Sequence, residues 1–562
     1  MRIDTRKYRA GLPALFCSLG ILAICSCRSE CQPDRIILYN GIVLPEVWPP
    51  RYDEPSERYP MPVPYLESKP NVIPVNVGRQ LFVDDYIVAE TDMEMVSHTP
   101  VYYPGNPIIE PTEGWEKTVS GSLYAAPFSD GIWFDELDNK FKMWYLTGAS
   151  HLGGTFCTAY AESVDGKHWT KPVKDIVQGT NIVDTCDRDA ATVWLDKEEP
   201  DSCKRFKFFN VERDSMDGRW QFVLKYSADG IHWSEGVAQS GEIYDRSSVF
   251  YNPFRKVWGV SMRHPTPVSR RSRAYLEATD PEMAVSLAHR PRKGTMDKNV
   301  VIWFSPDNME PRHPDYPQID PGIYHFDCIP YESIMLGQYS VWQGPENQDC
   351  KRLGIQKRNE VLLGYSRDGF HFSRPSHRPF LGVHPEEGSW NWGNVQSVCG
   401  VPLIVGESLF FYVSGRRLND IMWDSYSSCG LATLRRDGFV SRHAGKTNRT
   451  LTTETLTFKG KYLFVNAEVN GAFQVEILSN KGRVLKQSTL YPAFNSTKKR
   501  ILDVSRFAGK KVQLRFTLRD GDLYAFWISP WKSGESLGFT AGGGPGLSPD
   551  GIDQPTGKTS LN

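Results

Sequence analysis

Several acidic side chains stand directly before, or within, runs of residues with strand character. Two carboxylates that face the same glycosidic bond can hydrolyse it, because one protonates the leaving oxygen while the other attacks or activates water. Partial burial separates the pKa values of two such groups, as the acid and base roles require. The predicted catalytic residues are Asp187, Asp189, Asp245 and Asp327, with Asp189 and Asp245 favoured. Two further acids, Glu116 and Asp130, flank the start of the predicted body.

Basic and aromatic side chains accompany these acids. Arginine and histidine can donate hydrogen bonds to sugar hydroxyls or to the carboxylate of an acidic sugar, and indole rings can stack on sugar faces. Trp390 and Trp392 fall on one side of the chain if that run is extended. The alternatives are ion pairs for the charged residues and core packing for the tryptophans. The predicted substrate-binding residues are Arg188, Arg246, Arg263, His264, Glu332, Trp390, Trp392 and Arg416.

Composition argues against several classes of partner. The 65 Lys and Arg residues balance 66 Asp and Glu residues without a basic stripe, so no nucleic-acid partner is expected. The 11 cysteines form no CxxC pair in the body of the chain, so neither a metal site nor another cofactor is expected. In an exported chain some of them can oxidise, for example Cys186 with Cys203, although sequence does not determine the pairing.

The first 27 residues have the pattern of an export signal. Basic residues within the first nine positions precede an apolar run over 11–24, which is too short to span a bilayer. The run ends in Ile24-Cys25-Ser26-Cys27, which resembles a bacterial lipobox. We therefore expect an exported lipoprotein, periplasmic or on the cell surface, that Cys27 anchors to a membrane through acyl chains. A plain secretory signal is the alternative.

One short motif recurs through the middle of the chain. The pattern Ser-x-Asp-Gly-x-His-aromatic occupies residues 163–169, 227–233 and 366–372, with weaker copies around Asp307 and Asp437. Asp-Gly between strands favours a tight turn, because Gly accepts positive φ and Asp bonds to the turn backbone. We therefore predict a structural role for these aspartates. The copies recur every 61 to 78 residues, which suits five four-stranded blades of a β-propeller.

The predicted fold class is all-β, a five-bladed β-propeller followed by a β-sandwich. The run 80–86 is expected to supply the strand that closes the last blade. Alternating strands between 452 and 530 predict the sandwich, and the Gly-, Ser- and Pro-rich end predicts a loose tail. The predicted divisions are a signal peptide over 1–26, a linker over 27–77, the propeller over 78–445, the sandwich over 446–533 and a flexible tail over 534–562.

This architecture resembles the furanosidase-type glycoside hydrolases of families 32, 43 and 68. Arg188-Asp189 before the second predicted blade is similar to the Arg-Asp-Pro triplet of family 32, whose Asp holds sugar hydroxyls and stabilises the transition state; Ala190 replaces the Pro. The resemblance therefore implies that Asp189 lies in the site. The Asn-Asp-Pro-Asn motif of the family's first blade is absent, and no Glu-Cys pair marks a general acid. A distant or separate family of the same fold fits these residues.

The sequence favours an exported glycoside hydrolase that acts on a poly- or oligosaccharide. A non-catalytic, lipid-anchored glycan-binding protein is the alternative, and a facing pair of carboxylates separates the two hypotheses. A third hypothesis is a lyase, which needs a Lys, Tyr or His base beside a bound uronate. A phosphorylase, finally, needs a basic cluster for phosphate, for which the run 269–273 is the candidate.

Overall fold

The computed structural model describes residues 35–214, 216–290, 298–417 and 426–555. Within these ranges the fold is all-β, as predicted, with only three short α-helices. The predicted signal peptide over 1–26 and the predicted lipidation site Cys27 lie outside the described residues. None of the described helices has the length and apolar character needed to cross a bilayer.

Short elements make up the N-terminal segment, residues 35–122. They are α1 (Pro64–Glu67), β1 (Ile73–Pro74), β2 (Gln80–Leu81), β3 (Val88–Thr91), β4 (Glu94–Ser97) and β5 (Val101–Tyr102).

Five successive groups of mainly antiparallel strands follow, named meanders 1 to 5. Meander 1 contains β6 (Leu123–Asp135), β7 (Lys140–Gly148), β8 (Phe156–Ser163), β9 (Trp169–Thr170) and β10 (Ile182–Asp184). Meander 2 contains β11 (Arg188–Leu195), β12 (Phe206–Arg213), β13 (Trp220–Ser227) and β14 (Ala238–Gln239). Meander 3 contains β15 (Ser248–Asn252), β16 (Val257–Thr266), β17 (Ser269–Ala278) and β18 (Val301–Phe304), with α2 (Pro281–Leu287) before β18. Meander 4 contains β19 (Gly322–Glu332), β20 (Ile334–Gly344), α3 (Asn347–Leu353) and β21 (Arg358–Ser366). Meander 5 contains β22 (Asn394–Gln396), β23 (Leu403–Val405), β24 (Ser408–Arg417) and β25 (Tyr426–Arg435).

The first strands of the meanders contact one another in chain order. β6 contacts β11, β11 contacts β15, and β15 contacts β19. β25 of meander 5 pairs in parallel with β6, so the last meander is joined to the first. A second strand, β5, also pairs with β25, in the antiparallel direction. The prediction that the run 80–86 closes this meander is therefore wrong, because β2 pairs instead with a C-terminal strand.

The recurrent Asp-Gly motif forms turns that dock on another meander. In the first copy Ser163 Oγ accepts from the Gly166 amide, while Asp165 Oδ1 accepts from the amides of Lys167 and His168. A carbonyl of each turn then accepts a hydrogen bond from an aromatic side chain of a different meander. Tyr412 donates to the carbonyl of Gly166, Trp144 donates to that of Gly230, and Trp303 donates to that of Phe370. These contacts support the structural role that the sequence predicts for the motif.

The C-terminal strands combine with the N-terminal segment in one sheet of eleven strands. The C-terminal members are β26 (Val440–Ala444), β27 (Arg449–Thr453), β28 (Leu456–Thr457), β29 (Tyr462–Ser479), β30 (Val484–Gln487), β31 (Phe494–Asp503) and β32 (Val512–Ser529). β32 alternates between buried and half-buried residues in its first half and is buried on both faces in its second half. The first half of β32 therefore has one face toward solvent, whereas its second half packs against the rest of the molecule on both faces.

Residues 534–555 are ordered, so the flexible tail predicted from 534 onward is wrong for them. β33 (Phe539–Thr540) pairs with the end of β19. A Cβ on Gly542 would lie 1.8 Å from the carbonyl oxygen of Gly400. The glycines of this segment therefore allow a close backbone approach, and their number does not signal disorder.

The cysteines described by the structure, Cys157 through Cys429, are all free. Cys186 lies beside the ammonium of Lys225, and Cys203 is exposed. The disulfide given above as an example is thus not formed.

Candidate functional site

One end of the meanders collects charged side chains from four of them. In an antiparallel meander the first and third strands begin at the same end, so residues at those starts are neighbours. Meanders 2 and 3 bring Asp189, Asp245 and Arg246 to this end, and meander 3 adds Arg263 and Arg271. Meander 4 contributes Tyr324 and Lys357, and meander 5 contributes Arg416. We refer to this set as the cationic site.

Asp189 and Arg246 are joined by two contacts across meanders 2 and 3. The backbone amide of Arg246 donates to Asp189 Oδ2 at 2.9 Å, and Arg246 Nη2 lies 3.3 Å from Oδ1. Arg246 adopts φ of 57°, a left-handed conformation that costs a non-glycine residue about 1–3 kcal/mol. This conformation presents both the amide and the guanidinium of Arg246 to one carboxylate.

Asp245, the neighbour of Arg246, forms an ion pair with Arg263 and lies 3.9 Å from Arg271 Nη1. Burial alone would raise the pKa of Asp245, but the charges of Arg263 and Arg271 more than offset burial and lower it. The side chains of Asp189 and Asp245 are 16% and 24% exposed. Both carboxylates thus lie close enough to Arg246 for their charges to act on it, and both are partly exposed.

Tyr324 is buried among cations. Lys357 Nζ donates to its phenolic oxygen at 3.2 Å, and Arg271 Cζ lies 4.4 Å from the ring centre. Burial opposes ionisation of the phenol, but the charges of Lys357, Arg246, Arg271 and Arg416 together lower the pKa of Tyr324 to about 7. Because a phenol normally titrates near 10, this group holds or releases a proton at neutral pH. The sequence analysis missed both Tyr324 and Lys357, since no motif marks either residue.

Two aromatic rings of meander 1 support the arginines of the cationic site. Arg246 and Arg416 place their Cζ atoms 5.2 Å and 5.1 Å from the ring centre of Phe128, and Arg416 lies 5.6 Å from that of Tyr124. Phe128 lies in a bulge of β6 with φ of 45°, and its amide donates to Ser414 Oγ at 2.6 Å. The bulge re-aims this side chain, as bulges beside functional sites commonly do. The ring faces hold the guanidinium planes by cation–π attraction.

Arg188 does not bind substrate as predicted, whereas the catalytic role of Asp187 stays a prediction. Arg188 makes a fully buried, bidentate pair with Asp130 at 3.0 and 2.5 Å, so it has no access to a substrate. Burial raises the pKa of Asp130 to about 6 against the opposing charge of Arg188. Asp187 accepts hydrogen bonds from the amides of Thr155 and Phe156, and it thereby fixes the start of β8.

Asp327 belongs to an internal hydrogen-bond network. Its Oδ1 lies 2.6 Å from His325 Nε2, and its Oδ2 accepts from Ser397 Oγ at 2.7 Å. His325 Nδ1 lies 3.4 Å from Ser129 Oγ. All four side chains are buried, and they connect meanders 1, 4 and 5. The network suits a role in positioning these strands, and the catalytic role of Asp327 stays a prediction.

Glu332 lies at the far end of β19 from the cationic site. It is buried, 3.4 Å from Arg79 and 3.0 Å from Arg436, and it accepts a hydrogen bond from Ser536. Asp437 also binds Arg79, at 2.8 Å. This network ties the end of meander 4 to the C-terminal segments. The substrate-binding role predicted for Glu332 is therefore wrong.

The two tryptophans of the run 389–393 have different surroundings, because this run is a turn and not an extended strand. Trp390 packs on Gly415 and Gly430, where an added Cβ would meet its ring atoms at 2.3 and 2.1 Å. Trp392 lines a cavity of about 120 Å³ together with Gln356. Trp390 thus packs on two strands, whereas Trp392 lines a cavity; both side chains are half-buried, and the stacking roles stay predictions.

The cationic site contains three of the predicted substrate-binding residues, Arg246, Arg263 and Arg416. The fourth basic residue of that prediction, His264, lies apart from it. His264 is buried, and Nε2 lies 3.6 Å from the exposed carboxylate of Glu54. Burial lowers the pKa of its imidazole. A neutral, buried ring does not offer the charged donor expected from the sequence.

Two groups of potential metal ligands occur among the described residues, and each already surrounds a cationic side chain. Lys225 Nζ lies 2.6 Å from Asp184 and 3.1 Å from Glu212. Arg374 pairs with both Asp307 and Glu310. These ammonium and guanidinium groups neutralise the acids in the way that a metal ion otherwise would, so both groups are ion-pair clusters.

No protein-family model and no curated protein sequence matches the chain. Among solved structures, it is similar to a fructofuranosidase from Schwanniomyces occidentalis complexed with fructosylnystose, at 10% identity and a TM-score of 0.36, over 78% of this chain and 98% of that one. It is also similar to an arabinoxylan arabinofuranohydrolase of family 43 from Bacillus subtilis, at 10% identity and a TM-score of 0.34, over 77% and 99%. An exo-β-1,3-galactanase from Phanerochaete chrysosporium matches at 11% and 0.32, over 74% and 99%.

These neighbours are glycoside hydrolases, the class that the sequence resemblance names. At TM-scores below 0.5 their activities do not transfer to this chain, so its function has to follow from its own site.

Proposed function

We propose that the chain is a glycoside hydrolase that cleaves an oligosaccharide at the cationic site. The observation that carries the proposal is that two partly exposed carboxylates, Asp189 and Asp245, and the phenol of Tyr324 gather around Arg246. We infer also that meanders 1 to 5 are the blades of one propeller and that the C-terminal sheet folds as a sandwich. The sequential contacts of β6, β11, β15 and β19, and the pairing of β25 with β6, support the ring.

Asp245, Tyr324 and Asp189 suit three different roles in the reaction. Asp245 is kept ionised by its arginines and suits the carboxylate that attacks the anomeric carbon or activates water. Tyr324 can carry a proton at neutral pH and suits the donor to the leaving oxygen. Its phenolate then recovers a proton from the attacking water. Asp189, fixed by the amide and guanidinium of Arg246, suits binding of sugar hydroxyls beside the reacting carbon.

Tyr324 also favours a second candidate function, β-elimination on a uronate. Its phenolate would remove the proton at C5, the cations would neutralise the carboxylate, and the 4-O substituent would leave with formation of a C4–C5 double bond. The lowered pKa of the phenol beside four cations is the observation that favours it. The products separate the two functions, because only elimination gives an unsaturated, ultraviolet-absorbing sugar.

Sugar release from a panel of plant and bacterial polysaccharides tests the proposal. The full chain is compared with Asp189→Asn and with Asp92→Asn, whose carboxylate is 49% exposed and pairs with Arg449 of the C-terminal sheet. Release by the parent and by Asp92→Asn, but not by a folded Asp189→Asn protein, is expected. Equal release by all three proteins contradicts the assignment. Binding of a glycan without release of any product favours the glycan-binding alternative.

We propose in addition that the chain is exported and anchored through Cys27, on the strength of the basic residues, the apolar run and the lipobox-like end of residues 1–27. Metabolic labelling with palmitate tests this point. Label in the parent chain that disappears in Cys27→Ala is expected, whereas label retained in Cys27→Ala places the acyl chain elsewhere.

A further inference from the structure

The cationic site carries more positive than negative side chains. Five cations, Arg246, Arg263, Arg271, Lys357 and Arg416, surround only two partly exposed carboxylates and a phenol. A neutral sugar offers hydroxyl groups, which need few full charges for their recognition. A surplus of guanidinium groups is instead typical of sites that bind carboxylate, phosphate or sulfate oxygens.

Several donors of these arginines have no hydrogen-bond acceptor within the described part of the chain. Arg246 is 8% exposed, yet its Nε and Nη1 atoms are both buried without an acceptor, and the same is true of Arg263 Nε and Arg271 Nη1. Buried polar donors are nearly always paired in folded proteins. One nitrogen of the Arg246 guanidinium contacts Asp189. The guanidinium plane lies over the ring of Phe128 and near that of Tyr324.

A groove of about 520 Å³ continues the site along meander 3. Arg263 and Arg271 lie in its wall, together with Arg58, Arg270 and Trp342. Asp320 and Glu346 also line it, so the groove is basic overall but not uniformly so. Its volume suits a sugar ring and its neighbour. The same two arginines thus face the cationic site and the groove.

We propose that the site binds a saccharide whose ring carries an anionic group, a carboxylate or a sulfate, with Arg246 and Arg271 as donors and the chain of the saccharide in the groove. The inference rests on the proposed function and names its substrate class. Carboxylate and sulfate share the pair of coplanar oxygens that a guanidinium binds through two parallel hydrogen bonds. A matched neutral sugar would leave these donors buried and unpaired, which is how a polar site rejects an analogue.

Binding to matched glycans tests the inference without depending on catalysis. The Tyr324→Phe protein is titrated with pectin, alginate, heparosan and carrageenan oligosaccharides, each alongside its carboxyl-reduced or desulfated form. We expect binding of an acidic form that weakens at least tenfold when the charge is removed. Loss on carboxyl reduction identifies a uronate, and loss on desulfation identifies a sulfated sugar. Equal binding of charged and neutral forms, or of neutral glycans alone, overturns the inference.

The Tyr324 phenol supplies a second readout that needs no specific glycan. An anion bound by Arg246 and Arg271 screens their charge, so glucuronate or sulfate is expected to decrease the phenolate absorbance of Tyr324 near neutral pH. Glucose, and chloride at equal ionic strength, are expected to leave it unchanged. Arg271→Gln should abolish the response, whereas Arg515→Gln, in the C-terminal sheet, should retain it. No response to either anion, combined with no acidic glycan bound, also overturns the inference.

The two proposals fail separately. Charge-dependent binding without release of product removes the hydrolase and leaves the anionic ligand in place. Release from neutral glycans only, with charge-independent binding, keeps the hydrolase and removes the anionic ligand.

Discussion

Lys357 donates a hydrogen bond to the phenolic oxygen of Tyr324 across 3.2 Å, and both side chains are buried. Lys357 precedes the third strand of meander 4 and Tyr324 lies near the start of its first strand, so the meander itself brings them together. An ammonium group at this distance stabilises the phenolate far more than it stabilises the phenol. The cationic site therefore contains a tyrosine whose protonation state changes near neutral pH.

Replacing Lys357 by Met should raise the pKa of Tyr324 from about 7 toward its usual value near 10. Since the folded-state pKa lies below the unfolded value, ionisation of Tyr324 stabilises the fold above pH 10, and this contribution is lost as the pH falls from 10 to 7. Ultraviolet difference titration measures the pKa directly. Tyr324→Phe identifies the signal, because the step near pH 7 should then vanish; a step that persists belongs to another tyrosine.

Removal of the Tyr324 hydroxyl should affect turnover more than substrate affinity. General acid–base catalysis contributes roughly 10²- to 10⁴-fold to rates, so Tyr324→Phe should lower kcat by about that factor with a small change in KM. The parent rate should depend on a group that titrates near pH 7, and this dependence should disappear in the residual activity of the variant. A change confined to KM would show that the hydroxyl only binds substrate.

Glu332→Gln should destabilise the fold and leave catalysis unchanged. The carboxylate is fully buried between Arg79 and Arg436, and breaking such a buried pair costs about 3–5 kcal/mol. Chemical denaturation measures the loss in the free energy of unfolding, and KM for the substrate serves as the second readout. Asp92→Asn removes an exposed partner of Arg449 and should change stability by less than about 1 kcal/mol. An unchanged unfolding free energy for Glu332→Gln would falsify the structural role.

Gly430→Ala tests the packing of Trp390. The added methyl group would meet the indole ring at 2.1 Å, so the ring or the strand must move, and overpacking of this kind costs about 1–3 kcal/mol. Thermal unfolding measures the cost. Gly406→Ala is a useful contrast, because its φ of 60° gives backbone strain although no atom lies within 4 Å of the new methyl group. If the Gly430 variant unfolded no earlier than the parent, Trp390 would have to lie elsewhere.

The sequence predicted the features that depend on local pattern. The all-β fold follows from alternation and turns, and the turn motif at 163–169 forms the hydrogen bonds that Ser, Asp and Gly favour. Asp189, Asp245 and Arg246 were predicted because they stand before or within runs of residues with strand character. Contacts set by distant partners escaped prediction. An arginine such as Arg188 is a reasonable candidate for ligand binding, but only the fold shows that its guanidinium is already paired with Asp130.

Tyr324 is a functional residue that the sequence did not predict. Its chemistry arises from Lys357 and from arginines of meanders 3 and 5, none of which is near it in sequence. A tyrosine in a strand is ordinarily a packing residue, so its type alone carries no functional signal. Glu332 is the converse, because β19 carries it to the end of the strand opposite Tyr324, where it pairs with Arg79 and Arg436.

The docked turns and the cationic site lie at opposite ends of the meanders. Asp187 binds the first residue of β8, whereas Ser163 is the last residue of the same strand and begins the turn that accepts from Tyr412. The turns therefore secure neighbouring meanders at the end away from the charged cluster. Over evolutionary time, residues at the charged end can diverge toward new substrates while the turn end maintains the scaffold, so specificity and architecture are free to change at different rates.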